Sequence, residues 1–207
     1  SVPGPSSGPE HATVTSSVRA GKIRDYLTEI HVAADGGLVG RSVSEAILSR
    51  APGVRVLQVI RGEEVIPASG GREVLRAGDV LLVKGEVNAL LALQRSPGLD
   101  VAPDLSAPAL RTRGRDTTLA ELLVRPGSGA IGSTVRSLGL NARYGAVVLA
   151  VQRHGTHTRE MVADIVLRFA DVLLVQADAE ALARLRDSED LVVLEDVEER
   201  VIHGHRA

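Results

Sequence analysis

The pattern of apolar and polar positions contains one short run that occurs twice. Val80–Val83 follows Asp79, and Val172–Val175 follows Asp171 at an offset of 92 residues. Asp79 to Val83 and Asp171 to Val175 are identical at all five positions. A run of four apolar residues behind a turn-forming aspartate is typical of a buried strand. The recurrence therefore predicts a fold that is built from one unit used twice.

The repeat extends well beyond this run. When residues 27–93 are aligned without a gap on residues 119–185, 23 of 67 positions are identical. Units of this length, present only twice, are not the turns of a solenoid. The pattern leaves two alternatives open: two small homologous domains, or two halves of one pseudo-symmetric domain. Because each unit is marginal as a lone core, we expect the units to bury a face on each other or on a second chain.

The same order of elements is predicted in both units. In the first unit, Ser42 and Glu45 have the spacing of a capping box at the start of a short helix. The predicted elements of the first unit are strands Glu29–Ala34, Val54–Arg61, Val65–Ile66 and Val80–Lys84 and helices Val43–Ser49 and Glu86–Gln94. Those of the second unit are strands Glu121–Arg125, Ala146–Arg153 and Val172–Gln176, a helix from Thr134 to Leu140 and a helix Ala179–Arg186. A last strand, Leu191–Leu194, is expected at a sheet edge.

The predicted fold class is therefore α+β, with two tandem small β-α-β-β-β-α domains related by the internal repeat. The Pro/Gly/Ser-rich residues 1–21 predict a disordered arm. The first domain is predicted at 22–95, a linker interrupted by proline and glycine at 96–117, the second domain at 118–200 and a tail at 201–207.

Composition narrows the class of function. The 207 residues carry a net charge of −2, with one Phe, two Tyr and no Trp, so the basic field and aromatic platforms used by nucleic-acid-binding proteins are missing. The absence of cysteine excludes disulfides, thiol catalysis and cysteine-ligated zinc. Since no Ser/His/Asp constellation, paired-carboxylate motif or phosphate loop is found either, the sequence predicts no enzyme, no cofactor and no metal site.

The sequence contains neither a signal peptide nor an apolar run of roughly 18 residues, the length of a membrane span. The chain begins with Ser1 rather than methionine. We expect it to be a fragment of a longer protein, which could itself carry membrane segments.

Two arginines, Arg61 and Arg153, end equivalent strands of the two units. A guanidinium group binds phosphate in bidentate geometry, so two arginines related by a pseudo-two-fold axis could hold a two-fold anion such as a dinucleotide. The alternative is that both are solvated strand ends. Arg61 and Arg153 are accordingly the candidate ligand-binding residues.

The other candidate motifs have simpler alternatives. Gly36–Gly40 follows a strand and precedes a helix, as a dinucleotide-binding loop does, but the match is weak and a tight strand-to-helix turn is favoured. Asp79 and Asp171 could form a catalytic pair, but as turn residues each would only bond the backbone two residues further on. His154 and His157 have metal-like spacing, with a hairpin turn as the alternative.

The remaining histidines are weaker candidates. His31 lies on an alternating strand, where a rim position or a hydrogen-bonded histidine is expected rather than a ligand. His203 and His205 lie in the predicted tail.

A longer pattern covers nearly all of the first unit. It comprises Gly37-x-x-Gly40-x-x-Val43, Gly53-Val-x-Val-Leu-x-Val-x-Arg61, Ile66-Pro67 and Leu75-x-Ala-Gly-Asp-Val-Leu-Leu-Val-x-Gly85. This pattern resembles the TrkA C-terminal domain, also called RCK_C. The second unit departs from it at Arg159, in place of the hairpin proline, and at Phe169–Ala170, in place of Ala-Gly.

The resemblance implies a regulatory module. TrkA C-terminal domains lie on the cytosolic side of potassium channels and transporters, pair across a two-fold axis and in some members bind cyclic di-AMP at the pairing surface. Tandem copies are similar to the cytosolic insert of sodium/divalent-anion symporter-type permeases. Since the companion Rossmann domain of potassium transport regulators is not found in this sequence, the resemblance does not imply NAD or ATP binding.

Together with the resemblance, the sequence predicts a non-enzymatic cytosolic module that regulates an ion or anion transporter of the inner or plasma membrane. It would sense a small anionic ligand, such as cyclic di-AMP or another nucleotide, at the pairing surface. The alternative is a structural dimerisation domain without a ligand. The expected partners are membrane segments of the parent transporter and a second copy of the chain or of the repeat, whereas nucleic acid is not expected.

Overall fold

The run that occurs twice in the sequence forms the central strand of each half of one antiparallel sheet. The computed structural model describes residues 25–68, 70–96, 99–100, 117–153 and 160–196. Their strands are β1 (Asp25–Val32), β2 (Val54–Arg61), β3 (Glu64–Pro67), β4 (Val80–Glu86), β5 (Leu99–Asp100), β6 (Thr117–Val124), β7 (Val147–Gln152), β8 (Val172–Asp178) and β9 (Leu191–Asp196). The strand order is β3-β2-β4-β1-β7-β8-β6-β9, and β5 pairs with β1.

Short helices connect and cover these strands. They are α1 (Val87–Gln94), α2 (Val135–Leu138), α3 (Leu140–Tyr144) and α4 (Ala179–Arg186), with one π turn at Ser44–Leu48 and one 3-10 turn at Val162–Asp164. The α+β class and the tandem repeat are confirmed. The expected edge position of the last strand is also confirmed, because β9 ends the sheet. The predicted arm, tail and second hairpin lie outside the described residues, and the domain boundaries stay predictions.

The short helix of the first unit forms as a single π turn. Its predicted capping box is present, because Glu45 N–H donates to Ser42 Oγ at 3.3 Å and Ser42 N–H donates to Glu45 Oε2 at 3.2 Å. Ser49 N–H reaches back five residues to the Ser44 carbonyl at 3.1 Å. This turn provides the short crossover from β1 to β2.

Several element bounds differ from the predicted ones. β1 and β6 both begin four residues before the predicted starts at Glu29 and Glu121. In each unit the neighbouring strand pairs with these additional residues, and in the first unit the ladder extends to Asp25↔Glu86. The polar residues at the start of the strand are therefore held in the sheet. In the second unit, α2 ends at Leu138 because the next residue, Gly139, has a left-handed φ of 62°. The predicted continuation of this helix to Leu140 was therefore wrong.

The second unit is turned over relative to the first. β1 runs antiparallel to β7 where the two units meet, at Leu27↔Val151. On β1, Ile30 belongs to the core that contains α1, whereas Leu27 packs against the core that contains α4. Side chains of one strand alternate between the faces of a sheet, so the two units place their helices on opposite faces.

Each core receives residues from both units. The core under α1 includes Leu119, Leu149 and Leu174 of the second unit, and the core under α4 includes Leu82 of the first. The sheet is also strongly curled. The Tyr26 hydroxyl on β1 donates to Glu121 on β6, although β7 and β8 lie between these strands in the sheet order.

The turns before the two central strands differ in one backbone position. Gly78 precedes Asp79 with a φ of 81°, and its repeat equivalent Ala170 keeps a left-handed φ of 66°. A left-handed conformation costs a residue with a Cβ roughly 1–2 kcal/mol. No atom lies within 4 Å of the position that a Cβ on Gly78 would occupy, so backbone conformation alone separates the two turns.

Reciprocal substitutions test this strain. Ala170→Gly is expected to raise the free energy of unfolding by about 0.5–1 kcal/mol, and Gly78→Ala to lower it by a similar amount. Urea unfolding followed by circular dichroism measures both. Ala77→Gly, at a neighbouring position without a left-handed φ, should be slightly destabilising because it only adds freedom to the unfolded chain. A less stable Ala170→Gly variant would contradict the assignment.

Candidate functional site

Arg61 closes the first unit by binding the aspartate that precedes the central strand. Arg61 lies at the end of β2, and its Nε and Nη2 donate to the two carboxylate oxygens of Asp79 at 2.9 and 2.8 Å. Nη2 also donates to the Val74 carbonyl at 3.0 Å, and Nη1 lies 3.4 Å from Glu73 Oε1. Asp79 is only 1% exposed. The result is a buried bidentate ion pair between two turns.

The second unit repeats this arrangement. Arg153 Nε donates to Asp171 Oδ1 at 3.0 Å, and its Nη2 donates to Asp171 Oδ2 and to the Val166 carbonyl. Both pairs join residues that are 18 positions apart in the sequence. We call these two pairs, Arg61–Asp79 and Arg153–Asp171, the arginine clasps.

The clasps correct two interpretations of the sequence. Neither arginine is a solvated strand end, since the side chains of Arg61 and Arg153 are 18% and 12% exposed. Neither aspartate bonds the backbone two residues further on; Asp79 and Asp171 each accept the N–H of the residue three positions before, at 2.8 Å. The signal available in the sequence was that arginine and aspartate recur together at the repeat offset.

The first clasp lowers the pKa of its carboxylate. Burial alone would raise the pKa of Asp79, but hydrogen bonds from Arg61 and from Arg76 N–H, with the charges of both arginines, outweigh it and lower that pKa. The hydrogen bond to Asp171 likewise raises the pKa of Arg153. Because the folded carboxyl has the lower pKa, the first clasp stabilises the fold above about pH 4, and this stabilisation is lost as the pH falls further.

The two arginines of one chain do not converge. β2 and β7 run in opposite directions, with β4 and β1 between them. Arg61 directly follows Ile60, which pairs with Val80, and Val80 in turn pairs with His31. Arg153 comes two residues after Val151, which pairs with Leu27. At ~3.3 Å per residue the arginines are about 20 Å apart along the strands. A ligand role for either residue stays a prediction, and one small anion does not reach both.

Two buried glutamates link the units to each other. Glu29 and Glu121 are equivalent in the repeat and are 1% and 2% exposed. Glu121 of the second unit accepts the Tyr26 hydroxyl of the first, and Glu29 of the first accepts the Val162 N–H of the second. Sequence reasoning matched these glutamates but gave them no role. The available signal was an identical charged residue within a strand of both units.

Glu29 lies among few charges. Burial raises the pKa of Glu29 to about 7, opposed by the N–H groups of Val162 and Ala163. His31 Nε2 lies 3.9 Å from Glu29 Oε2. Asp164 adds repulsion and Arg136 attraction, and these two form an exposed ion pair of 3.2 Å with each other. Unlike the clasp aspartates, Glu29 has no arginine in direct contact within the described residues.

The other sequence candidates are placed as follows. Gly36 N–H bonds to the Ala33 carbonyl at 3.3 Å, which forms the predicted tight turn before the π turn. His154, His157, His203 and His205 lie outside the described residues. Elsewhere, within the described ranges, no cluster of three or more histidine, aspartate or glutamate side chains is arranged to hold a metal ion.

Two flipped α+β units in one sheet, each closed by the same arginine clasp, define a tandem-repeat α+β fold whose two cores are shared between the units. The sequence profile of the TrkA-C domain matches residues 27–98 and 119–189. The chain therefore belongs to the TrkA-C domain family.

Curated proteins that are named as transporters align with most of this chain. The chain is 29% identical over 181 residues to the "Uncharacterized transporter sll0640" of Synechocystis, covering 84% of this chain and 30% of that protein. It is 29% identical over 159 residues to the "Probable sodium/sulfate cotransporter 3" of Chlamydomonas reinhardtii, covering 76% of this chain and 18% of that protein. It is 27% identical over 182 residues to "Sodium/sulfate cotransporter 2" of the same organism, covering 87% and 21%.

The chain thus spans less than a third of the length of these curated relatives. Among its described residues, none of the helices has the length and hydropathy that crossing a membrane requires.

Removal of one clasp arginine should be strongly destabilising. Arg153→Met leaves Asp171 buried without its partner, and we expect the free energy of unfolding at pH 7 to fall by about 3 kcal/mol. Arg55→Met is the matched control, because it removes an exposed 3.1 Å pair with Asp25 and should cost no more than about 0.5 kcal/mol. Urea unfolding measures both, and equal losses would show that the clasp contributes no more than a surface pair.

Proposed function

We propose that this chain is a regulatory module of a membrane transporter and lies on the cytosolic side of the inner or plasma membrane. The observation that carries the proposal is the tandem TrkA-C match, because transporters align with 76–87% of the chain. Two of the relatives are named as sodium/sulfate cotransporters, so an anion is the substrate class that the parent protein would carry. The module's partners would be the membrane segments of that parent.

A regulatory role fits the chemistry of the described residues. The charged groups at the strand ends bind each other in the clasps, and the buried glutamates join one unit to the other. Such groups stabilise one arrangement of the two units over another. A ligand that binds one arrangement more tightly shifts the population toward it, which is sufficient for regulation without a reaction.

The ligand that we propose is a small anion of the cyclic dinucleotide class, bound at Arg153 or Arg61. Arg61 forms ion pairs with Asp79 and with Glu73, whereas Arg153 forms one with Asp171 and interacts with the charge of Glu160 only at longer range. An anion is repelled less by a distant carboxylate than by one in direct contact. Nη1 of Arg153 also makes no hydrogen bond to a described residue, so it remains a donor for a phosphate.

Calorimetry on the full chain tests the ligand. Titration with cyclic di-AMP is expected to release heat, and Arg153→Lys is expected to weaken binding at least tenfold, because lysine lacks the bidentate fork. Arg55→Lys, at an exposed ion pair that is not part of either clasp, should bind as the wild type does. Absence of heat with cyclic di-AMP, cyclic di-GMP and ATP at high micromolar concentration would remove the sensing part of the proposal.

A second candidate function is ligand-independent dimerisation. Exposed aliphatic residues occur at equivalent places in both units, Val39 with Ile131 and Val74 with Val166, and Phe169 is 60% exposed. Apolar residues repeated at the surface favour a protein contact. Sedimentation that shows a dimer without ligand, together with no thermal shift by any nucleotide, would favour this function over sensing.

The transporter context has its own test. The coding sequence that flanks this segment in its gene is expected to encode apolar spans of about 20 residues on both sides. A flanking sequence without such spans would contradict the parent transporter while leaving the ligand experiment valid.

A further inference from the structure

The junction of the two units contains a buried carboxylate that neither the clasps nor the proposed ligand site uses. Glu29 lies on β1 of the first unit, and its Oε1 accepts the N–H of Val162, which begins the 3-10 turn of the second unit. Val162 is itself fully buried in the core under α4, together with Leu82 of β4. Glu29 therefore marks the place where a turn of one unit is seated on the sheet of the other.

The elements around Glu29 bring few charged groups to it. β1 contributes His31, the 3-10 turn contributes Asp164 and α2 contributes Arg136. β4 places Leu82 opposite Glu29, and its Lys84 lies 3.8 Å from Asp25 instead. β7 has no charged residue. No described cation is in direct contact with the carboxylate apart from His31, when that histidine is protonated.

We propose that Glu29 is a proton-controlled latch: with a proton on its carboxyl the 3-10 turn Val162–Asp164 is seated on β1, and loss of the proton releases the turn. The reason is the burial itself. An ionised carboxylate that is 1% exposed gains hydrogen bonds from the turn but loses its hydration, whereas the protonated carboxyl still accepts the Val162 N–H through its carbonyl oxygen at little desolvation cost.

The direction of the pH response follows from linkage. Burial raises the pKa of Glu29 from 4.5 to about 7 in the seated state, and in a released state the solvated carboxyl returns to its ordinary value. The seated state therefore binds more protons, is favoured at acidic pH and is weakened as the pH rises through 7. With these values the equilibrium constant for release increases about tenfold between pH 6 and pH 8.

Hydrogen exchange of the full chain measures release directly. After correction for the intrinsic rate, the protection of the amides at 162–165 is expected to fall about tenfold from pH 6 to pH 8. In Glu29→Gln, the neutral amide keeps an acceptor for Val162 N–H, so protection should stay at the pH 6 level throughout. Glu121→Gln, the repeat-equivalent buried position, should keep the pH response of the wild type.

A second measurement identifies the titrating group, even if a variant folds poorly. The side-chain carboxyl carbon of Glu29, observed by NMR in the wild-type chain, is expected to titrate with a midpoint near 7. His31→Gln should leave the pH response of the turn in place. A Glu29 midpoint near 4.5, an unchanged pH response in Glu29→Gln, or a flat response in His31→Gln would each overturn the latch. The test needs neither the transporter nor a ligand.

Discussion

The structure depends on one constraint: a sheet of three long strands has two faces, and the helices of one unit cover only one of them. Each unit meets this constraint by packing its uncovered face into the core of the other unit. The strands concerned are β2-β4-β1 in the first unit and β7-β8-β6 in the second. Turning one unit over places the helices on opposite sides of the shared sheet. The strands near the junction then become buried on both faces, and all six residues of β7 are buried. Strands of this kind are continuously apolar rather than alternating, which is the physical origin of the repeated Val-Leu-Leu-Val run.

Burial on both faces makes a buried polar side chain in or beside these strands dependent on an internal partner. Asp79 and Asp171 have guanidinium groups, which supply two hydrogen bonds and a full opposite charge. Glu29 has backbone N–H groups and a distant histidine, which do not offset its burial. Asp79 and Glu29 are both 1% exposed, yet the pKa of the first is lowered and that of the second is raised. At Asp79 the hydrogen bonds and charge of Arg61, with the N–H of Arg76, outweigh desolvation, whereas at Glu29 desolvation outweighs the N–H groups of the turn and the carboxyl titrates near neutrality.

Much of the fold could be predicted from the sequence because its repeat and its turns are local signals. The capping box of Ser42 and Glu45, the hairpin after Arg61 and the edge position of β9 follow from neighbouring residues. The start of β1 was not predicted, since polar Asp25 and Thr28 are held there by a ladder to Glu86 and Val83, which are 61 and 55 positions away. The clasps could be predicted only as separate charged residues. The pairing of arginine with aspartate requires the end of one strand to lie beside a turn further along the chain. Hydrophobic periodicity contains no information about such a contact.

The flipped arrangement also limits how a symmetric ligand could be bound. Equivalent residues of the two units are not related by a two-fold axis within the chain: β1 adjoins β7, but their repeat equivalents, β6 and β2, do not adjoin each other. Arg61 and Arg153 consequently lie at opposite ends of the sheet. In an isologous dimer, by contrast, both partners contribute the same surface patch, so a residue near the two-fold axis lies close to its own copy in the partner. A two-fold anion would therefore be held by the same arginine from each of two chains, and duplication of the unit would provide two different surfaces for pairing rather than one closed site.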